Sequence, residues 1–434
     1  MALTGRAGGV ALLGVLLVLV APSVWTLAVV NGAIVLAICV DTALAAPVRA
    51  LVISRHGDSS TWLGNEATVR LTVHNPTTRV MRALVRDAWP PSARATPARQ
   101  ELRVPPGARR TLTTTLRPQR RGDVRPARLT VRSVGPLGLA ARQGSLEVQW
   151  TIRVLPAFPS RKLLPEMLAR LQQLDGRNAA RVRGEGTEFD SLREYVVGDD
   201  VRSIDWRATA RSSSVVVRTW RPERDRRVVV VIDTGRTSAA SVGDTPQVPR
   251  LDAILDASLL LTTLATRAGD RLELVAGDQK VRASVPPGRN VLPALVEATT
   301  PLQPALVETD MRLLVSEVLR RARQRSLVVL FTSLDAAPLE EGLLPLLPSL
   351  IRRHHVLLAA VADPAVARLA DGRGDAAAVY GAAAAERVLA SRQRMAQRLR
   401  ATGVRVVDAP PDHLAAAVAD AYLALKAPSA SSPV

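Results

Sequence analysis

The chain has 434 residues, 47% of them hydrophobic, and a formal net charge of +19, which is length enough for two domains and a membrane segment. Aromatic residues make up only 3%, so its cores must rest on Leu, Val and Ala. The single cysteine, Cys39, excludes an internal disulfide and any cysteine-rich metal cluster; in its apolar setting it reads as a small buried hydrophobe.

Residues 7–46 carry no charge except Asp41. A bilayer core takes about 20 helical residues per crossing, so the stretch supplies two short spans, about 8–21 and 24–40, reversing at Pro22-Ser23. Arg6 flanks one side and Arg49 and Arg55 the other, which places both ends, and the soluble part, in the cytoplasm of a multi-pass cell-membrane protein. A secretory signal ending at Ala43-Leu44-Ala45 is the rival reading, but the apolar region is too long for one. Asn31 either pairs the two helices or is a tolerated amide.

From 48 to 155 the pattern turns to short alternating runs. Strands are expected at 68–75, 82–89, 109–118, 127–134 and 145–155, with NP, PPG, RGD and GPLG turns between them. This describes an antiparallel immunoglobulin-like β-sandwich. Nineteen arginines face six acids between residues 49 and 155. No recognition helix or aromatic stacking array accompanies that charge, so the anionic face of a lipid bilayer, and not nucleic acid, is the expected partner; coding bias is the plainer alternative. Residues 156–183 read as a linker with a short helix, LLPEMLARLQQL, and a flexible GRNAARVRGEG loop.

Beyond 227 strands and helices alternate. Strands are expected at 228–233, 271–276, 281–285, 326–332, 355–361 and 404–407, and helices at 250–267, 308–323, 339–352, 377–401 and 412–425. VVVVID and SLVVLFT are continuous apolar runs suited to a parallel sheet buried on both faces. A doubly wound α/β domain follows. The tail, 427–434, reads as disordered.

The segment GEGTEFDSLREYVVGDDVRSIDWRATARSSSVVVRTWRPERDR (184–226) holds nine acids against eight arginines, a local balance that suggests interlocked ion pairs. Phe189, Tyr195, Trp206 and Trp220 are threaded among the charges, so part of it is expected to be buried, with its ions paired. The network residues are Glu188, Phe189, Arg193, Glu194, Tyr195, Asp199, Asp200, Arg202, Asp205, Trp206, Arg211, Glu223 and Arg224. GEGTEF, LREYVVGDDVRSIDWRATAR and the RPERD turn before the apolar strand resemble the signature of a bacterial family known as domain of unknown function 58 (DUF58). The resemblance extends to both flanks. It implies a membrane-anchored protein with a von Willebrand factor type A-like domain over 184–426, following the helical hairpin of 1–47 and the sandwich of 48–155. It also implies partnership with a MoxR-type AAA+ ATPase.

Type A domains hold Mg²⁺ with D-x-S-x-S after the first strand, a Thr from a second loop and an Asp from a third, an oxygen set suited to a small hard cation. Carried over by that resemblance, the set is Asp233, Thr237, Thr309, Ser333 and Asp335. Gly235 stands where the middle Ser belongs and Ser333 where the acid belongs, so the set is degenerate and Mg²⁺ is the only cofactor it suggests. The plainer alternative has Asp233 capping the next turn or pairing with Arg236.

No catalytic residues are identified. None of the five histidines sits beside a nucleophile in a recognisable motif, and no phosphate-binding loop is present. The arginines around the signature acids favour ionised carboxylates over catalytic ones. The expected function is therefore a non-enzymatic, membrane-anchored scaffold or adaptor for protein-complex assembly or maturation at the cell envelope. A metal-dependent adhesion receptor is the alternative, and an envelope hydrolase the third reading.

Overall fold

Alternation decides the first half of the chain. Residues 67–74 and 81–88 bury every second side chain, the period of a strand with one face inward. The computed structural model describes residues 2–181, 188–197, 199–221, 226–243 and 248–427, without the side chains at 175–181, 188–191, 219–221 and 248. Within these the chain divides into two compact units, Met1–Leu155 and Pro156–Val434.

The first unit begins with two apolar helices, α1 (Gly5–Val20) and α2 (Val24–Leu44). They break at Pro22-Ser23, where the Ser23 hydroxyl accepts from the Trp25 amide. Gly14 lets α1 approach Val30 and Ile34 of α2. The α2 segment is long and apolar enough to cross a membrane, and α1 is a shorter apolar helix. Asn31 donates to the Leu27 carbonyl of its own helix, which answers the question of its partner. Cys39 is exposed on α2, not buried as expected.

Behind the helices, two antiparallel sheets pack face to face. Met81, Val85, Val104 and Val131 of one meet Leu71, Val73 and Leu112 of the other in one core. A buried Arg55–Asp87 pair at 2.5 Å joins strands Val52–Gly57 and Met81–Ala88. Burial pushes the Asp87 carboxyl up, against the pull of Arg55. The expected run 145–155 divides into Ala140–Leu146 and Ile152–Leu155, which join different sheets. Gly122-Asp123 forms a short strand, not a turn, with Asp123 bonded to Arg153.

In the second unit α3 (Leu164–Arg181) continues through Gly176–Arg181, where a loop was expected. A six-stranded sheet follows: β1 (Arg227–Asp233), β2 (Arg271–Gly277), β3 (Val281–Gly288), β4 (Leu327–Phe331), β5 (His355–Val361) and β6 (Arg405–Ala409). Their order is 3-2-1-4-5-6, with only β3 antiparallel. This is the doubly wound arrangement, whose switch point lies beside β1. Helices α4 (Arg250–Arg267), α5 (Leu292–Thr299), α6 (Met311–Arg321), α7 (Ala376–Ala401) and α8 (Pro411–Lys426) complete the domain. The expected helix at 339–352 is broken into a π-turn and a short helix by Pro338, Pro345 and Pro348. The C-terminal half of α7 packs Met395, Ala396 and Leu399 into the core, while Tyr380 near its start and Val388 at its middle are exposed. The expected disorder of the tail lies outside the described residues.

Candidate functional site

The carboxyl ends of β1 and β4 meet at Asp233, which is 1% exposed. One of its carboxylate oxygens, Oδ1, accepts from the Gly235 amide at 2.8 Å and from the Thr309 hydroxyl. The other, Oδ2, accepts from the Thr332 hydroxyl at 2.7 Å and from Thr237 at 3.1 Å. The loop carrying Thr309 is pinned to the β1 turn by Arg236 N–H to Val307 O and Ala305 N–H to Thr234 O, both 2.8 Å. Thr234 in turn donates to Asp278. Burial raises the Asp278 carboxyl, but bonds from Arg282, Gln279 and Thr234 outweigh it and hold the group below the usual range. A cleft of about 320 Å³ opens beside Asp233, lined by Thr237, Thr309, Glu341 and an Arg236–Glu308 pair at 2.5 Å.

Asp233, Thr237 and Thr309 thus converge as expected, but the other two residues do not. Ser333 is buried and its hydroxyl finds no partner among the described residues. Asp335 faces Arg250 and Arg392, at 3.9 and 3.7 Å. Thr332, one residue before Ser333, is the member the sequence reading missed; its place at the end of an apolar strand was the available signal. Arg236 pairs with Glu308 and not with Asp233.

These residues do not fit the Mg²⁺ implied by the type A pattern. A carboxylate has about four acceptor positions, and four protein donors already occupy those of Asp233. A Cβ on Gly235 would collide with the Thr309 hydroxyl, so the missing serine could not stand there in this arrangement. Among the described residues no group of three or more His, Cys, Asp or Glu could hold a metal ion. What the arrangement does is lock three loops to one buried carboxylate.

The signature segment forms an antiparallel hairpin, Glu188–Glu194 against Val216–Arg221. Arg193 grips Asp199 through both terminal nitrogens, at 2.7 and 2.6 Å, and Asp199 also accepts from the Val196 amide. Asp205 caps the short helix Trp206–Thr209 through the Arg207 and Ala208 amides, and takes Arg218 on its other oxygen at 2.7 Å. The Arg193 bond, with help from Val196, holds Asp199 below the ordinary carboxylate range; the Ala208 amide, then Arg218, does the same for Asp205. Glu194 accepts from the Ser214 hydroxyl, and Asp200 from the Arg202 amide.

Tyr195 is half-buried, whereas Arg202 and Arg211 are exposed, with no acidic partner among the described residues. The side chains of Glu188 and Phe189, and residues Glu223 and Arg224 entirely, lie outside the described residues. The expected burial fails at Trp206, which is 69% exposed, and Val196, Val197 and Val201 of the same segment are exposed too. Among the described residues Glu194, Asp199, Asp200 and Asp205 each find a donor within the segment, and Val217 is buried while Trp206 is exposed.

Residues 191–406 match the family described as Protein of unknown function DUF58. Uncharacterized proteins of Mycobacterium bovis and Mycobacterium tuberculosis are 29% identical over 202 residues, covering 46% of this chain and 62% of each relative. The chain therefore spans about three fifths of the length of these curated relatives. Among solved structures, the SpRpn10 VWA domain is similar over 48% of this chain and 98% of its own (14% identity, TM-score 0.30). The CARDB domain of a Pyrococcus furiosus protein is similar over 24% of this chain and 86% of its own (13% identity, TM-score 0.17). The stretch that is similar to DUF58, from within the signature hairpin to the start of β6, is built on a doubly wound sheet.

Proposed function

We propose that the chain is a membrane-anchored, non-enzymatic scaffold or adaptor whose signature hairpin docks a partner protein. The observation that carries this reading is the exposure of Val196, Val197, Val201 and Trp206 along one short segment held by the Arg193–Asp199 and Asp205–Arg218 pairs. Several large apolar side chains left exposed in one segment suit an interaction site, and an exposed tryptophan with an arginine beside it in the chain suits an interface centre. The partner proposed is a MoxR-type AAA+ ATPase, on the strength of the family resemblance, with this protein tethering it or presenting a client. The anchor is the α1–α2 pair, with both soluble units on the cytoplasmic side.

Affinity capture of the full chain in mild detergent, with and without ATP, tests this. Wild type is expected to retain an AAA+ ATPase identified by mass spectrometry, and Val197→Asp/Trp206→Asp to lose it while keeping its circular dichroism spectrum. Absence of any ATPase in both nucleotide conditions would remove the reading. The adhesion-receptor reading is weaker because it needs a cation at Asp233, whose acceptors are already filled.

A further inference from the structure

The amino ends of the parallel strands carry a collar of arginines, at the opposite edge of the sheet from Asp233. Arg226 and Arg227 open β1, Arg271 opens β2 and Arg405 opens β6, while Arg325 and Arg353 stand just before β4 and β5. A pocket of about 520 Å³ is set into this edge, lined by Arg226, Arg325, Arg405, His355, Lys426 and Tyr422, with Val228, Leu327 and Leu425 as its apolar floor.

Among the described residues the only carboxylate in its lining is Asp270, and that group is spent. It accepts from Tyr422 Oη at 2.5 Å, from Lys426 Nζ at 2.7 Å and from the Arg226 amide at 3.3 Å. One guanidinium nitrogen of Arg226 donates to Leu425 O and one of Arg405 to Ala421 O, which orients both side chains, and neither has an acidic partner among the described residues. Arg325 has no acidic partner among the described residues. His355 feels this concentration of charge: burial and then the nearby Arg325 and Arg226 depress its basicity. Like charges gathered around a concave surface, whose one acidic neighbour among the described lining residues is already bonded to Tyr422 and Lys426, favour an anion supplied from outside.

We propose that this pocket binds a phosphate-bearing ligand, held by Arg226, Arg325 and Arg405. A single carboxylate would offset one of the three guanidinium groups, whereas a phosphate carries up to two charges and three acceptor oxygens that match guanidinium forks. The volume lies in the usual range for small-molecule sites, about 300–1,000 Å³, and the apolar floor leaves room for the organic part of a phosphoester. The phosphate belongs either to a soluble metabolite or to a lipid headgroup, and the two are separable by experiment.

The test is isothermal titration calorimetry of the full chain in neutral detergent with two probes, inorganic pyrophosphate and dihexanoylphosphatidic acid. Arg325→Glu and the milder Arg325→Gln remove a pocket charge. Arg271→Glu removes a collar charge outside the pocket. Saturable pyrophosphate binding, weakened at least tenfold by Arg325→Glu, less by Arg325→Gln and under twofold by Arg271→Glu, establishes a site for a free phosphate. Saturable binding of the lipid probe alone, with the same pattern of losses, assigns it to a headgroup. No saturable heat with either probe, or an equal loss from Arg271→Glu, overturns the proposal, because diffuse attraction to the collar would then account for everything.

Discussion

Asp233 and Asp41 are both enclosed carboxylates that hold separate pieces of chain together. Asp233 does so with three threonine hydroxyls and one amide. Asp233→Ala would leave all four donors without their acceptor, so a loss of about 3 kcal/mol or more is expected. Thr332→Val removes one charge-assisted bond and should cost about 1.5 kcal/mol, whereas Ser333→Ala removes a hydroxyl with no partner and should be near neutral. Denaturant midpoints of the three variants check this ordering. Because the Asp233 acceptors are filled, millimolar Mg²⁺ is expected to leave the wild-type midpoint unmoved; a saturable upward shift would contradict the misfit. His354 supplies a pH dependence. Its Nδ1 accepts from the Ser326 amide, which requires the neutral ring, and its Nε2 finds no partner among the described residues. Burial, then Arg353 and Arg227, lower its pKa from 6.5. The unfolded chain therefore binds the extra proton below pH 6.5, and stability falls as the pH drops through and beneath that value. Replacing His354 with Gln should flatten the decline between pH 7 and 5.5; an unchanged slope would assign it elsewhere.

At the scale of elements, the signature hairpin and the foot of α2 show what pairing achieves. Asp205 is at once a helix cap and the partner of Arg218, so Asp205→Ala should raise amide hydrogen exchange across residues 192–218 while leaving β1 and β4 protected. Equal exchange in both proteins would mean that the frame is held by backbone pairing alone. In the first unit Asp41, the only charge in residues 7–46, accepts from the Leu137, Leu139 and Ala140 amides at 2.7–2.8 Å. Arg142 and Arg79 donate to Thr42 O and Ala43 O, and the Thr4 hydroxyl donates to Gly138 O. The 135–140 loop thereby grips the end of α2 and the residue that starts α1. Asp41→Ala leaves three amides without their acceptor and is expected to expose this loop to protease in detergent; an unaltered digest would show that the clasp is dispensable. Elements governed by local pattern were legible beforehand. The helix at 250–267 was read at both ends, and β1, β4 and β5 to within a residue or so, because long apolar runs have few alternatives. Gln100–Val104 was not read, since its alternation is short and interrupted by charge, and neither was the helix at Leu292–Thr299. Exposure of Trp206 was misjudged for a different reason: an aromatic among charges reads the same whether its face is covered by its own chain or left for another.

For the whole molecule, the two units answer different needs. The first ties apolar helices to a sandwich crossed by a buried Arg55–Asp87 pair. The second presents a sheet whose carboxyl edge is locked at Asp233 and whose amino edge is cationic, with the signature hairpin ahead of β1 in the chain. The class of the second unit followed from its alternating elements, but its strand order did not, and the third loop of the Asp233 cluster lies one residue before the expected serine, because which hydroxyl reaches across a switch point is a tertiary fact. The proposed docking of an ATPase on the hairpin binds these scales together. It is tested most directly by a photo-crosslinking residue placed in the full chain in living cells at position 197 or 206, with position 379 on the exposed face of α7 as control. The account predicts an adduct containing an AAA+ ATPase from positions 197 and 206 and none from 379. No adduct at the hairpin, or equal adducts at all three positions, would contradict it.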